Sequence, residues 1–260
     1  MANFLRITSK DNAIIKEITN LQKSSKRRKE SGLFVLEGLR LCADASLNGV
    51  VAKTVVLSDT AFDKYLDDMG DLFNNAESKY IIPDSLFTKI SDTVNPQGIL
   101  CVFQIPTFGM KDIVSNGKYI ALENLQDPSN LGAISRTAEA LGINGIFVCG
   151  GCDPYSPKSL RASMGALLRI PVFETDNVFD LTLNSGFSTY AAVVDRNSEK
   201  IGSFRFDDGC IVFIGNEANG LTEDTVNKCD RKITIPMDGK AESLNAGVAA
   251  AIIMWEMIKC

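Results

Sequence analysis

Asn130 and Arg136 stand six residues apart in the segment Glu123-Asn-Leu-Gln-Asp-Pro-Ser-Asn130-Leu-Gly132-Ala-Ile-Ser-Arg136. A strand there enters a proline-containing turn, and Asn130 sits where a helix N-cap is expected. Leu131, Ile134, Ala138 and Leu141 recur on one helical face, the buried one, so Arg136 projects from the opposite side. Gly132, one turn earlier, leaves the space beside the guanidinium unfilled. A helix N-terminus and an arginine together make an anion site. Read alone, the segment is better taken as an ordinary capped helix with a surface arginine. A second segment, Phe213-Ile-Gly215-Asn216-Glu217-Ala-Asn219-Gly220-Leu221, runs from an apolar strand into a glycine-rich turn. Its two glycines permit positive φ and close backbone approach to a ligand. It is neither a GxGxxG fingerprint nor a P-loop, and a Gly-Asn-Glu turn with no cation suits an adenosine or methionine moiety better than a triphosphate. A third, Ile235-Pro236-Met237-Asp-Gly239-Lys-Ala-Glu-Ser243-Leu244-Asn245-Ala246-Gly247, is a tight loop before a final helix. Ser243 is placed to cap that helix and Asn245 falls in its first turn.

The chain contains no histidine. Ser-His-Asp triads, Cys-His dyads and HExxH zinc sites are therefore excluded within it. Any proton must leave through a carboxylate, Lys, Tyr, Cys, the substrate itself or water. Seven scattered cysteines indicate reduced thiols rather than a disulfide framework. Cys149-Gly-Gly-Cys152 has CxxC spacing, but no second pair completes a zinc site, and no metal is expected.

Net charge is −5, unevenly spread: residues 1–40 hold nine Lys and Arg against four Asp and Glu. The densest run, Lys23-Ser-Ser-Lys26-Arg27-Arg28-Lys29, is either a solvated helix end or a phosphate-backbone contact. No apolar run reaches bilayer-spanning length and Met1 to Lys10 lacks a secretory apolar stretch, so a cytoplasmic protein with no membrane contact is expected.

These segments must be held by alternating strands and helices. In the first half Ser9 could cap a helix through Ile14, Ile15, Ile18 and Leu21. Strands are expected at Leu33–Leu36, Lys53–Leu57, Tyr80–Ile82 and Ile99–Ile105, with helices from Leu39 and around Phe62–Met69. The second half places strands at Lys118–Glu123, Gly145–Cys149, Tyr190–Val194, Ile211–Gly215 and Lys232–Ile235. Helices are expected at Leu131–Leu141, Pro157–Leu168 and Ser243–Ile258. The alternation implies a mostly parallel sheet with ligands at the carboxyl ends of its strands.

In order and spacing the three segments closely resemble the motifs of the SpoU, or TrmH-like, branch of the SPOUT RNA methyltransferases, over Lys118 to Cys260. More loosely, through Lys26–Leu41 and Asn95-Pro-Gln-Gly98, the first half resembles the family's N-terminal substrate-binding domain, which is similar to ribosomal protein L30e. The resemblance implies an α/β chain in which 1–106 is an L30e-like RNA substrate-binding domain and 107–117 a linker. Residues 118–260 would form a trefoil-knot methyltransferase domain with a mostly parallel sheet, an exception to the rule that chains do not knot. It further implies S-adenosylmethionine as cofactor, held by Gly215, Asn216, Glu217, Gly220, Ile235, Pro236, Met237, Ser243 and Leu244. Arg136 matches the family's catalytic arginine, with Asn130, Glu217 and Asn245 at matching positions. Lys23, Lys26, Arg27, Arg28, Lys29 and Arg136 would contact structured RNA, in the first place rRNA. A homodimer through the C-terminal domain is implied as well. The expected reaction is methylation of a ribose 2′-hydroxyl, most simply in 23S rRNA. Alternatives are a tRNA substrate, a base-methylating relative, or a non-catalytic RNA-binding protein that keeps the fold.

Overall fold

The computed structural model describes residues 4–65, 76–182 and 186–259. The chain forms two compact units, Met1–Pro106 with Tyr155–Arg161, and Thr107–Pro154 with Ala162–Cys260.

In the first unit the elements are β1 (Leu5–Arg6), α1 (Ala13–Lys23), α2 (Ser25–Ser31), β2 (Leu33–Glu37), α3 (Leu39–Leu47), β3 (Ala52–Ser58), α4 (Asp59–Tyr65), β4 (Ser78–Ile82), α5 (Asp84–Ile90) and β5 (Ile99–Gln104). The sheet order is β1-β4-β3-β5-β2, with β5 antiparallel to both neighbours. Ile15, Ile18 and Leu21 of α1 bury against Val35, Val56 and Leu100 of the strands. Asn12, not Ser9, caps α1: its side chain accepts from Ile14 N at 2.9 Å, being the residue next to the first helical one. Where a helix is expected around Phe62–Met69, the structure has one at Asp59–Tyr65, and residues 66–69 of the expected range lie outside the described residues. Helix α5 was not anticipated, although Leu86, Phe87 and Ile90 have helical spacing and are buried.

The second unit contains β6 (Lys118–Glu123), α6 (Pro128–Ala140), β7 (Gly145–Cys149), β8 (Val172–Glu174), α8 (Val178–Thr182), β9 (Ser188–Ala192), β10 (Glu199–Lys200), β11 (Cys210–Ile214), α9 (Glu223–Lys228), β12 (Arg231–Thr234) and α10 (Ala246–Ile258). A helix α7 (Pro157–Ser163) begins in the first unit's segment and ends in the second's, followed by a 3₁₀ turn at Ala166–Leu168. Every pairing in the seven-stranded sheet is parallel, in the order β10-β12-β9-β11-β6-β7-β8. The central strands β6, β7, β9 and β11 are buried on both faces, with Tyr119, Phe147, Phe173 and Phe213 in one aromatic-rich core. β12, the last strand in the chain, sits between the earlier β9 and β10. The α/β class with a mostly parallel C-terminal sheet is thus as expected.

That order decides where the site falls. Ile214 pairs with Leu122, Phe213 with Ala191 and Ile233 with Ala192, so the carboxyl ends of β6, β11, β9 and β12 lie side by side. From three of those ends leave the three segments singled out in the sequence.

Candidate active site

Asp127, rather than Asn130, caps α6, because Pro128 takes the first helical position and Asp127 accepts from Ser129 N at 2.8 Å. Asn130, buried in the first turn, is thereby freed for a different task. Its Nδ2 donates to Glu217 Oε1 at 2.9 Å, and its Oδ1 accepts from Asn245 Nδ2 at 2.9 Å. Asn245 is itself the cap of α10, accepting from Gly247 N at 2.9 Å and Val248 N at 3.2 Å, so Ser243 does not cap that helix. One chain of hydrogen bonds therefore joins all three segments.

Glu217 is the hub of this chain. Its carboxylate also accepts from Gln126 N and Asp127 N, each at 3.0 Å. Burial opposes its ionisation, but the hydrogen bonds from Asn130, Gln126 and Asp127 outweigh it and hold the carboxyl below its ordinary range. The Gly215–Gly220 turn is closed by Asn216 N to Gly220 O at 3.0 Å and Gly220 N to Asn216 O at 2.9 Å. A Cβ on Gly215 would lie 2.1 Å from the Gly220 carbonyl carbon, so only glycine permits the closure. Asn216 Nδ2 ties the turn to Asn124 O at 2.9 Å. Beyond it Glu123, unmarked in the sequence, accepts from Thr222 N and Thr222 Oγ1, each at 2.9 Å, and from Thr225 Oγ1 at 2.7 Å.

The turn borders a cavity of about 410 Å³. Of the residues expected to hold a cofactor, Gly215, Asn216, Glu217, Gly220, Ile235, Met237, Ser243 and Leu244 line it, and Pro236 does not. Sequence reasoning missed Ala192, Val193 and Val194 at the end of β9, Ile201, and Ala249 and Ile253 of α10. The first three lie at the carboxyl end of β9, a signal the parallel pattern offered. The walls are apolar apart from loop backbone, Asn216, Glu217, Asn219, Thr234 and Ser243, and no Lys or Arg is among them. Such a lining fits an uncharged ring and a cationic or zwitterionic tail, and disfavours a polyphosphate. It therefore fits S-adenosylmethionine.

Arg136 is exposed on α6, six residues or about 9 Å along the helix from Asn130, and neither lines the cavity nor joins the hydrogen-bond chain. Gly132 does not leave room beside it: a Cβ there would lie 2.5 Å from the Ala162 carbonyl carbon, so the glycine serves close packing. Of the basic run, Lys23, Lys26 and Lys29 are exposed. Arg27 is paired with Glu17 at 2.8 Å. Arg28, expected to contact RNA, is 4% exposed and donates to the carbonyls of Leu21 and Gln22, so it fastens the end of α1 instead. Among the described residues no cluster of three or more Cys, Asp or Glu could hold a metal, and no helix is long and apolar enough to cross a membrane.

Residues 117–255 match the SpoU rRNA Methylase family, and residues 12–101 match the MRM3-like substrate binding domain. The 23S rRNA (guanosine(2553)-2′-O)-methyltransferase RlmP of Bacillus subtilis is 27% identical over 97% of this chain and 98% of its own. A 23S rRNA (uridine(2479)-2′-O)-methyltransferase of Streptomyces viridochromogenes is also 27% identical, over 98% of this chain and 92% of its own. The AdoMet-bound rRNA methyltransferase of Sinorhizobium meliloti superposes with a TM-score of 0.86 at 28% identity, covering 98% of this chain and 97% of that one.

Proposed function

The chain belongs to the SpoU rRNA methylase family, and from that premise we propose that it transfers methyl from S-adenosylmethionine to a ribose 2′-hydroxyl of 23S rRNA. The observation that carries the reading is the Glu217–Asn130–Asn245 chain of hydrogen bonds, which closes three separate segments around one apolar, cation-free cavity. Full-length similarity to two 23S rRNA 2′-O-methyltransferases supports the rRNA substrate over tRNA.

When bound, S-adenosylmethionine supplies a methyl group on a sulfonium, an electrophile that needs no further activation. Gly215, Asn216, Glu217, Gly220, Ile235, Met237, Ser243 and Leu244 hold it, the turn presenting backbone groups and Ile235, Met237 and Leu244 apolar surface. Glu217, already ionised and engaged by three donors, fixes the turn and is a poor base. Arg136 grips a phosphate of the RNA through its guanidinium and orients the ribose oxygen for in-line attack. The hydroxyl proton passes to a neighbouring phosphate oxygen or to water.

Residues 1–106 serve as the RNA substrate-binding domain, 107–117 as a linker and 118–260 as the methyltransferase domain. Exposed Lys23, Lys26 and Lys29 supply phosphate contacts in the first. The active form is a homodimer through the C-terminal domain, because α10 leaves Val248, Ala251, Ile252 and Trp255 as one apolar stripe on its outer side. The reaction is placed in the cytoplasm with its ribosomal substrate.

The test is transfer of labelled methyl to unmodified 23S rRNA and tRNA transcripts, followed by digestion to nucleosides. A 2′-O-methylnucleoside in rRNA is expected, and Arg136→Ala should lose about 100-fold or more in turnover with cofactor affinity within about twofold. Transfer to tRNA alone, or a methylated base, would sink the assignment.

A further inference from the structure

Among the described residues only Asn124 and Met164 have a positive φ without being glycine, at 53° and 52°. Asparagine tolerates that region, and Asn124 is held there while its carbonyl accepts from Asn216. Methionine has no such tolerance, and a strained backbone of this kind persists where the surroundings impose it, often beside a ligand. Met164 is also 44% exposed, whereas Ser163 before it and Ala166 after Gly165 are fully buried. The turn thus spends conformational strain to push a large apolar side chain into solvent.

Its position is fixed by three contacts along α6. Ala162 and Ser163 press against Gly132, where a Cβ would lie 2.5 Å from Ala162 and 2.8 Å from Ser163 N. The 3₁₀ turn Ala166–Leu168 packs on α6, and Arg169 Nη2 donates to Glu139 Oε2 at 2.8 Å. Gly132, Arg136 and Glu139 are spaced by four and three residues and so share one helical face. The segment 162–169 is thus anchored at Gly132 and at Glu139, on either side of Arg136 along that face, and its exposed, strained member is Met164.

We propose that Met164 is a substrate-binding residue that packs its thioether against the base of the nucleotide whose ribose is methylated. The inference rests on the reading of Arg136 as the phosphate grip: an anion held at Arg136 brings the attached nucleoside within reach of this turn. A polarizable, flexible side chain suits the π face of a base and is indifferent to its hydrogen-bonding edge. Met164 therefore orders the nucleotide rather than choosing among bases by hydrogen bonds.

Glycine at this position relieves the strained φ, so stability and activity should separate. In Met164→Gly the melting temperature should be unchanged or higher and S-adenosylmethionine affinity unchanged. Its kcat/KM on unmodified 23S rRNA transcript should fall about three- to tenfold, chiefly through KM for the RNA. Met164→Leu, close in volume, should keep at least about half the wild-type value. Full activity in Met164→Gly overturns the proposal. A loss that travels with a lower melting temperature, weaker cofactor binding or altered sedimentation overturns it too, because the turn would then be structural. Full activity in Met164→Gly beside an inactive Arg136→Ala sinks this inference alone; a fully active Arg136→Ala sinks the reading of α6 and this inference with it.

Discussion

Cys149 and Cys152 share the spacing of a redox pair, yet their surroundings argue against thiolate chemistry. Burial first, then the charges of Glu123 and Asp176, push Cys149 up to about 12. Burial first, and with it Glu217, Asp127 and Asp153, push Cys152 up to about 11. A raised thiol pKa keeps the neutral form as pH rises, so thiolate accumulates only in strong base. Alkylation of either cysteine in the folded protein at about pH 7.5 should run at least about 100-fold slower than that of an ordinary thiol, Cys149 the slower of the two. Mass-spectrometric labelling rates check this, and Cys149→Ala should keep full methyl transfer; rapid labelling at neutral pH would refute it. The CxxC spacing was legible in the sequence but its environment was not, because the acidic neighbours other than Asp153 come from distant segments. The same holds for Glu217. Its residue type stood out, but its partners Gln126, Asp127 and Asn130 lie some 90 residues earlier and meet it only in the fold. Asn130 was misread as a cap for a local reason: Pro128 was available as the signal for the first helical position, which puts the cap at Asp127.

At the scale of elements, the long buried strands could be read from sequence because parallel pairing makes them continuous apolar runs. β6 and β7 begin and end where the pattern places them. The three residues of β8 and two of β10 carry no usable period, and only neighbouring strands define them. Pro157–Leu168 was read as one helix, but the left-handed pair Met164 and Gly165 breaks it into α7 and a 3₁₀ turn. Gly132 is where the packing of α6 against that broken element can be tested. Gly132→Ala places a Cβ 2.5 Å from both the Ala162 carbonyl carbon and its Cβ, and helix backbones cannot yield as a side chain end can. The gain in helix propensity is outweighed by overpacking, and a net loss of about 1–3 kcal/mol is expected. Thermal unfolding should show a midpoint lower by roughly 2–10 °C. An unchanged or raised midpoint would mean that α6 and α7 are free to separate.

For the molecule as a whole, the two-part organisation follows from composition and pattern, but the assignment of Tyr155–Arg161 to the first unit does not. That segment lies far along the chain and is fixed there by Tyr155 against Phe34, ring centroids 5.5 Å apart, and by Arg161 with Asp92 at 2.7 Å. No periodicity encodes such a pairing. The outer face of α10 raises the complementary question of what a single chain leaves uncovered. Ala246, Gly247, Ala250, Ile253, Met254 and Met257 are spent on the chain's own interior. Val248 and Trp255, 49% and 54% exposed, remain outside with Ala251 and Ile252 between them. A tryptophan so placed is costly in a monomer and ordinary in a two-fold interface, where the same stripe meets itself. Trp255→Asp sets like charges against each other across such an axis without touching the cavity lining. Sedimentation at micromolar concentration should give a dimer for the wild type and a monomer for the variant, with unchanged far-UV circular dichroism. Loss of methyl transfer along with the dimer would mean that the site needs both chains. Retained transfer by a monomer would place the whole reaction on one chain, and a wild type that is itself monomeric would leave the stripe to another partner.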